Sequence, residues 1–368
     1  HKGLLQAIRN PVYPKIKDSG PVKENIDSPK LSKLPVLTHF QGDGGPYITS
    51  AIVAARGLDG KIENVSFHRL QILDDTHLAI RIVRRHLYKL LQMHKEADKP
   101  LEVAISLGLH PAIMLAAASS LPFGVSEYGV ANTLLGGDLV LTKCEDVSVP
   151  VPSDSELVLE GKIHPNDETD EGPFVDATGT YDIVRKQPVV EVTRIMHRNE
   201  FIYQALLPGM SEHHLLMGLP LEAQIWESVS STVPYVRGVN LTLGGCSWLH
   251  AVISLEKQSE GDGKNAILAA FTAHKSLKHV VVVDSDIDPQ NLKEVEWAIA
   301  TRFQADKDLV LVPNARGSSL DPSGDQNLGL TTKLGIDATR TLSRPKESFI
   351  KARFTELHEK RAKEILKE

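Results

Sequence analysis

Cysteine is almost missing from this chain of 368 residues, which carries only Cys144 and Cys246. Two thiols make no disulfide framework, so the fold must rest on a hydrophobic core rather than on covalent staples. Long apolar runs are missing too. The longest candidate, "AIMLAAASSLPFGV", is broken by serines and Pro122 and falls short of the ~20 residues that a membrane helix needs. The opening "HKGLLQAIRNPVYPK" has neither a signal-peptide apolar core nor an initiator Met. Neither sign of charge dominates, since 41 Lys and Arg against 47 Asp and Glu leave a net charge of −6. That excludes the basic surplus of a nucleic-acid binder and the acidic tail of a solvating segment. There is no CxxC, HExxH, GxSxG or Walker A motif. "GDGGP" at 42–46 and "EGDGKN" at 260–265 lack phosphate-loop spacing and read as turns. What remains is a cytoplasmic globular protein with no membrane span and no nucleic-acid partner.

The length exceeds what one core usually covers and implies two domains. Residues 1–36, rich in Lys, Pro and Ser with a short helical piece near Leu4–Ile8, read as a connector. "YITSAIVAA", "IENVSFHRLQIL" and "HLAIRIV" read as strands between "GLDGK" and "DDT" turns. Helix, strand and helix follow in "RRHLYKLLQMHKEA", "LEVAISLG" and "HPAIMLAAASS". "SEYGVANTLLG" is a further short helix that Gly136-Gly137 should stop. From Leu139 to Tyr203 short strands, "FIYQAL" among them, suggest a barrel or sandwich. The last third alternates strand and helix, as in an α/β layer, with the boundary in a helix at 212–231 and a final helix over 346–368.

A few stretches could carry chemistry. Strict alternation in "ENVSFHRLQIL" puts Asn64, Ser66 and His68 on one face and Val65, Phe67 and Arg69 on the other. On spacing alone this is a solvent-facing strand. His86 stands beside Arg84 and Arg85 at a helix start, where an anion is welcome, and Glu127 opens another helix. Asp284, Asp286 and Asp288 in "VVDSDIDP" lack the glycine and distal Glu of a calcium loop and read as loop caps. "DEGPFVDATG" holds Glu171 and Asp176 around Gly172-Pro173, which by itself is a turn with two solvated acids.

"DGGPYITSAIV", "NVSFHRLQIL", "RRHL", "SSLPFGVSEYGVANTLLG", "SELVLEGKI" and "EGPFVD", in this order and spacing, resemble the UbiD family of decarboxylases, as does "VVVVDSDIDPQNLKEVEWAIATR". The resemblance spans roughly 40–345 and implies an α/β (α+β) fold. It divides into a split β-barrel flavin-binding domain at 37–225, an α/β oligomerisation domain at 226–345 and a C-terminal helix at 346–368. Residues 1–36 would be the remnant of the family's N-terminal domain. It further implies prenylated FMN with a divalent metal, Mn²⁺ or Mg²⁺, and admits K⁺ beside it. A flavin prenyltransferase would supply the cofactor, and the chain would form a homodimer or homohexamer.

The family's Asn, His and Glu metal ligands fall on Asn64, His86 and Glu127, a donor set suited to a hard divalent ion. Cofactor-contacting positions fall on Ser66, Arg69, Arg85, His86, Ser119, Ser120, Leu121, Pro122 and Lys333. Lys333 would be a point charge for the flavin phosphate; otherwise it is an exposed loop lysine. The catalytic set falls on Arg69, Glu171 and Asp176. Arg69 would clamp a substrate carboxylate with two parallel hydrogen bonds. Glu171 would orient it, and Asp176, with a raised pKa, would protonate the carbon that loses CO₂. Asp stands at 176 where many relatives have Glu. None of the histidines, His68, His213 and His214 included, is expected to be catalytic. The compact chain looks most like a short archaeal-type branch that converts trans-anhydromevalonate 5-phosphate to isopentenyl phosphate, for which Arg56, Arg194 and Arg198 are candidate phosphate partners. The alternatives are a polyprenyl-hydroxybenzoate-type aromatic acid decarboxylase, a non-catalytic flavin- or metal-binding assembly protein, and a metal-dependent hydrolase.

Overall fold

The computed structural model describes residues 1–352 together with 358, 361 and 364–366. Its main sheet has nine strands. Eight follow one path: Tyr47–Ile48, Leu70–Ile72, His77–Ile80, Arg185–His197, Leu157–Glu171, Leu101–Leu107, Ile52–Arg56 and Glu63–Phe67. Asn25–Asp27 pairs onto 185–197 from the side. The chain links the two ends of this path twice over very short distances. Only residues 49–51 separate Tyr47–Ile48 from Ile52–Arg56, and only His68 and Arg69 separate Glu63–Phe67 from Leu70–Ile72. Both edges must therefore meet, and the sheet curls into a barrel that is split between them. The His68 N–H donates to the Ala51 carbonyl at 3.1 Å, which extends the Ile52–Arg56/Glu63–Phe67 ladder by one rung to where both segments step over the split. "YITSAIVAA" and "IENVSFHRLQIL", each expected as one strand, are thus two strands apiece, broken where the chain steps across the split.

Alternate residues of the central strands feed two cores, as strand geometry requires. Ile52, Ala54 and Ala104 join one cluster with Leu4, Ala7, Tyr128 and Ala131. Val53, Ala55, Val103 and Ile105 join another with Leu78, Leu87, Leu90 and Leu91. Residues 1–36 are more than a connector. Helix Lys2–Arg9 packs on helices Glu127–Leu134 and Ser211–Ser230, and Lys15–Lys17 pairs in parallel with Val140–Thr142. "FIYQAL" forms no strand, because its backbone is tied by side chains instead. Ser50 Oγ donates to the Gln204 carbonyl at 2.6 Å, and Leu206 N–H donates to Thr49 Oγ1 at 3.1 Å.

The C-terminal sheet runs Val236–Leu241, His250–Leu255, His279–Asp284, Leu330–Ala338, Leu309–Arg316, with its three middle strands parallel. Helix Asp262–Ala273 covers one face and Leu292–Arg302 the other. Helix Ser211–Ser230 serves both halves, giving Ala223 to the first core and Leu221, Ile225 and Val229 to the third. Residues 353–357, 359–360, 362–363 and 367–368 of the expected 346–368 helix lie outside the described residues, and Lys346–Phe349 is a 3₁₀ turn. Cys144 and Cys246 are unpaired. No described helix is long and apolar enough to cross a membrane.

Burial of His274 gives one pH-dependent term. It is 6% exposed, and burial pulls its pKa down to about 4. A depressed folded pKa means that stability is complete above the unfolded value near 6.5 and is lost as pH falls toward 4. About 2 kcal/mol should disappear between pH 6.5 and 5. Urea melts at pH 7 and pH 5 should show this loss in the wild type. His274→Gln, which can still donate to the Trp248 carbonyl that His274 Nε2 meets at 3.0 Å, should lose that part of the pH dependence.

Candidate active site

Arg69, at the seam, is the hub of the acidic residues expected from sequence. Its Nε and Nη2 donate to the two oxygens of Glu171 at 2.8 and 2.9 Å. Nη1 donates to Asp176 Oδ2 at 3.4 Å, and Nη2 also to Asp182 Oδ2 at 3.2 Å. Glu171 is wholly buried and takes a further hydrogen bond from Tyr47 Oη at 3.1 Å, whereas the Asp176 side chain is 26% exposed. The bend at Gly172-Pro173 therefore brings both acids to one guanidinium. The two-pronged grip foreseen for a substrate carboxylate is already taken by Glu171. Of the five N–H groups of Arg69, only one on Nη1 is left.

Asn64, Ser66 and His68 do share a face, and it is not a solvent-facing one: Asn64 is 4% and His68 9% exposed. Helix Glu127–Leu134 covers the strand from one side and helix His86–Glu96 also packs on it. Asn64 Nδ2 donates to Glu127 Oε1 at 3.1 Å, and Val65 N–H to Glu127 Oε2 at 2.9 Å. Burial pulls the His68 pKa down to about 4, so its ring is neutral. Its Nδ1 lies 2.8 Å from the Arg81 carbonyl, which can only accept, so Nδ1 carries the proton. Ser66 Oγ lies 3.0 Å both from His68 Nε2 and from Asn64 Oδ1, with one proton for the two acceptors. When that proton goes to His68, the Asn64 oxygen is free to ligate.

Asn64 and Glu127 are brought together, and their oxygens with the His86 imidazole are donor types that suit a hard divalent ion. Burial pushes the Glu127 pKa up to about 7, the mark of a carboxylate without a nearby cation. The His86 pKa is lowered by burial, then by Arg85 and Lys89, which keeps the ring in its metal-ligating neutral form. Among the described residues neither His86 nitrogen has a hydrogen-bond partner; the ring stands edge-on to Phe123, 5.3 Å away. Arg85 is open to solvent, and no described carboxylate pairs with it. A cation so placed suits a phosphate.

The other expected cofactor positions are less open. Ser119 Oγ donates back to the Leu115 carbonyl at 2.8 Å, and the Leu121 side chain belongs to the first core, while Ser120 and Pro122 are exposed. Lys333 is neither in a loop nor exposed. It lies on strand Leu330–Ala338, 4% exposed, and its ammonium donates to the Lys275 and Leu277 carbonyls at 2.6 and 2.7 Å. Burial lowers its pKa to about 8. The suggested phosphate partners are spent elsewhere: Arg56 on Glu63, Arg194 on Asp146 and Arg198 on Glu156. Asp284 and Asp286 hold Arg302, as caps rather than ligands.

Sequence reasoning missed Asp182, which touches Arg69, Arg81 and Arg185. It sits six residues after Asp176 in "GTYDIV", a signal only once the ion pairs are seen. His213 was set aside, yet it feels the charge of Asp176, and its neighbour His214 donates from Nε2 to the Ala177 carbonyl at 2.7 Å.

Comparison with known proteins adds independent findings. Residues 15–211 match the UbiD 3-octaprenyl-4-hydroxybenzoate carboxy-lyase Rift-related domain, and residues 214–338 the C-terminal domain of that carboxy-lyase. The chain is similar to the anhydromevalonate phosphate decarboxylase of Methanothermobacter thermautotrophicus, at 51% identity over 85% of this chain and 74% of the relative. With the enzyme of the same name from Methanocaldococcus jannaschii it shares 45% identity, covering 95% and 83%. Among solved structures it resembles the UbiD-class enzyme HmfF from Pelotomaculum thermopropionicum in complex with FMN, with a TM-score of 0.94 and 44% identity over 97% of this chain and 81% of that one.

Proposed function

Because the chain belongs to the UbiD family of carboxy-lyases, we propose that it decarboxylates trans-anhydromevalonate 5-phosphate to isopentenyl phosphate with prenylated FMN and a divalent metal. The observation that carries this reading is the array of Arg69, Glu171 and Asp176, joined from segments about a hundred residues apart in the chain. The shared name of its archaeal relatives favours the phosphorylated substrate over an aromatic acid. Asn64, His86 and Glu127 would hold the metal, and Arg85 would meet the flavin phosphate. When bound, the prenylated flavin supplies the electron sink for the charge left on carbon as CO₂ departs.

The chain's own residues do the rest. Glu171 fixes the plane of Arg69 through two hydrogen bonds and leaves the remaining Nη1–H for the substrate carboxylate. Asp176, on the same edge of Arg69 and partly open to solvent, gives the proton that replaces CO₂ on carbon and is recharged from water. Exposed Leu309 and Leu311 on the edge strand of the C-terminal sheet support assembly into a homo-oligomer.

Expression together with a flavin prenyltransferase tests this. The purified protein should carry prenylated FMN by visible absorbance and mass, and should release CO₂ from the phosphorylated acid. His86→Ala should come out with little cofactor or metal. Full-strength CO₂ release by protein free of flavin would overturn the reading in favour of a metal-only enzyme.

A further inference from the structure

One carboxylate, Asp182, serves three arginines. Its Oδ2 lies 3.2 Å from Arg69 Nη2 and 3.5 Å from Arg81 Nε, and its Oδ1 takes a hydrogen bond from Arg185 Nη2 at 2.8 Å. Glu171 already neutralises Arg69. Among the described residues Arg81 and Arg185 have no carboxylate other than Asp182, which they share with Arg69, so neither guanidinium has a carboxylate of its own. Arg185 Nε is buried with no partner at all. Such an unfilled donor is costly unless a ligand fills it. Burial depresses the Arg81 pKa, and the charges of Arg69 and Arg185 push the same way. Both side chains keep an opening to solvent, at 19% and 34% exposure. They come from one end of the barrel, since Arg81 follows strand His77–Ile80 and Arg185 begins the strand that pairs with it.

We propose that Arg81 and Arg185 form the subsite for the substrate's phosphate, beside the Arg69 position that faces its carboxylate. A guanidinium presents paired N–H groups that match phosphate oxygens, and two of them suit a dianion. Arg69 and Arg81 share one oxygen of Asp182, so the two anionic ends of the ligand must be only a few carbons apart. That geometry fits a short phosphorylated acid. The inference rests on the phosphorylated-acid reading above.

The test compares kcat/KM for the phosphorylated acid and for the same acid without its phosphate, using holoenzyme of the wild type, Arg81→Gln and Arg185→Gln. Each variant should lower the preference for the phosphorylated acid about 10- to 100-fold, mainly through KM. Arg185→Lys should recover part of it. An unchanged preference ratio, whether both acids suffer equally or neither does, overturns the subsite and leaves the proposed reaction standing. A wild type that releases no CO₂ from the phosphorylated acid overturns the reaction and the subsite together. If the variants fail to fold, a short alkyl monophosphate should still inhibit the wild type competitively at millimolar concentration, and no inhibition counts against the subsite.

Discussion

Asp176→Asn should keep its cofactor and its fold and lose nearly all of its CO₂ release, by about 10²- to 10⁴-fold in kcat, the usual worth of a positioned acid. An amide oxygen can still accept from the Ala177 N–H, which Asp176 Oδ1 engages at 2.6 Å, and only the long 3.4 Å bond from Arg69 Nη1 to Oδ2 is given up to the amide NH₂. What it cannot do is yield a proton to carbon. The flavin absorbance should therefore match the wild type, and KM should change little. In D₂O the wild type should place deuterium at the carbon that lost CO₂, and should exchange that position when given product alone. The variant should do neither. Turnover within a few-fold of wild type would assign the proton to another donor, with His213 first in line because it feels the charge of Asp176.

The second large effect falls on Glu171. Glu171→Gln keeps the shape but sets an amide NH₂ against the N–H edge of Arg69, whose side chain is 9% exposed. Breaking a buried ion pair by removing one charge costs about 3–5 kcal/mol, because the remaining charge is left without its partner. The seam of the barrel should loosen, visible as a lower denaturant midpoint, and kcat/KM should fall with it. The pair of variants separates two roles. Asp176→Asn should depress turnover at near-normal stability, while Glu171→Gln should depress both. A Glu171→Gln protein as stable as the wild type would mean that Asp176 and Asp182 can hold Arg69 without it.

Much of this architecture can be read from the sequence, and the reasons for the misses are physical. Helices 86–96, 111–118 and 127–134 stand where periodicity and glycine stops place them. The common face of Asn64, Ser66 and His68 follows from alternation and is borne out by their hydrogen bonds. Its burial does not follow, because the cover comes from Glu127 and its helix, some sixty residues away. The break at His68–Arg69 is equally silent, since both flanking pieces are good strands and nothing local marks a step from one sheet edge to the other. Strand Leu330–Ala338 hides behind Gly335 and Asp337, which interrupt its apolar pattern. Gly335 is needed because a Cβ there would lie 2.3 Å from Ile267 Cγ2 of the covering helix. Lys333 misled for the opposite reason. A lysine near a turn-rich segment looks free, and two backbone carbonyls had already claimed it.

The helix shared by the two halves has a mechanical meaning. Twenty residues make a rod about 30 Å long. At one end His214 grips the carbonyl next to Asp176, and further along Leu221, Ile225 and Val229 are sunk in the C-terminal core. A rod anchored at both ends transmits displacement. A displacement at the Asp176 end would be passed to the C-terminal layer or absorbed at Pro220, the proline inside the helix, where no N–H closes the backbone ladder. The Asp176 loop and the C-terminal core are thus fastened to one stiff element, and neither is mechanically independent of the other.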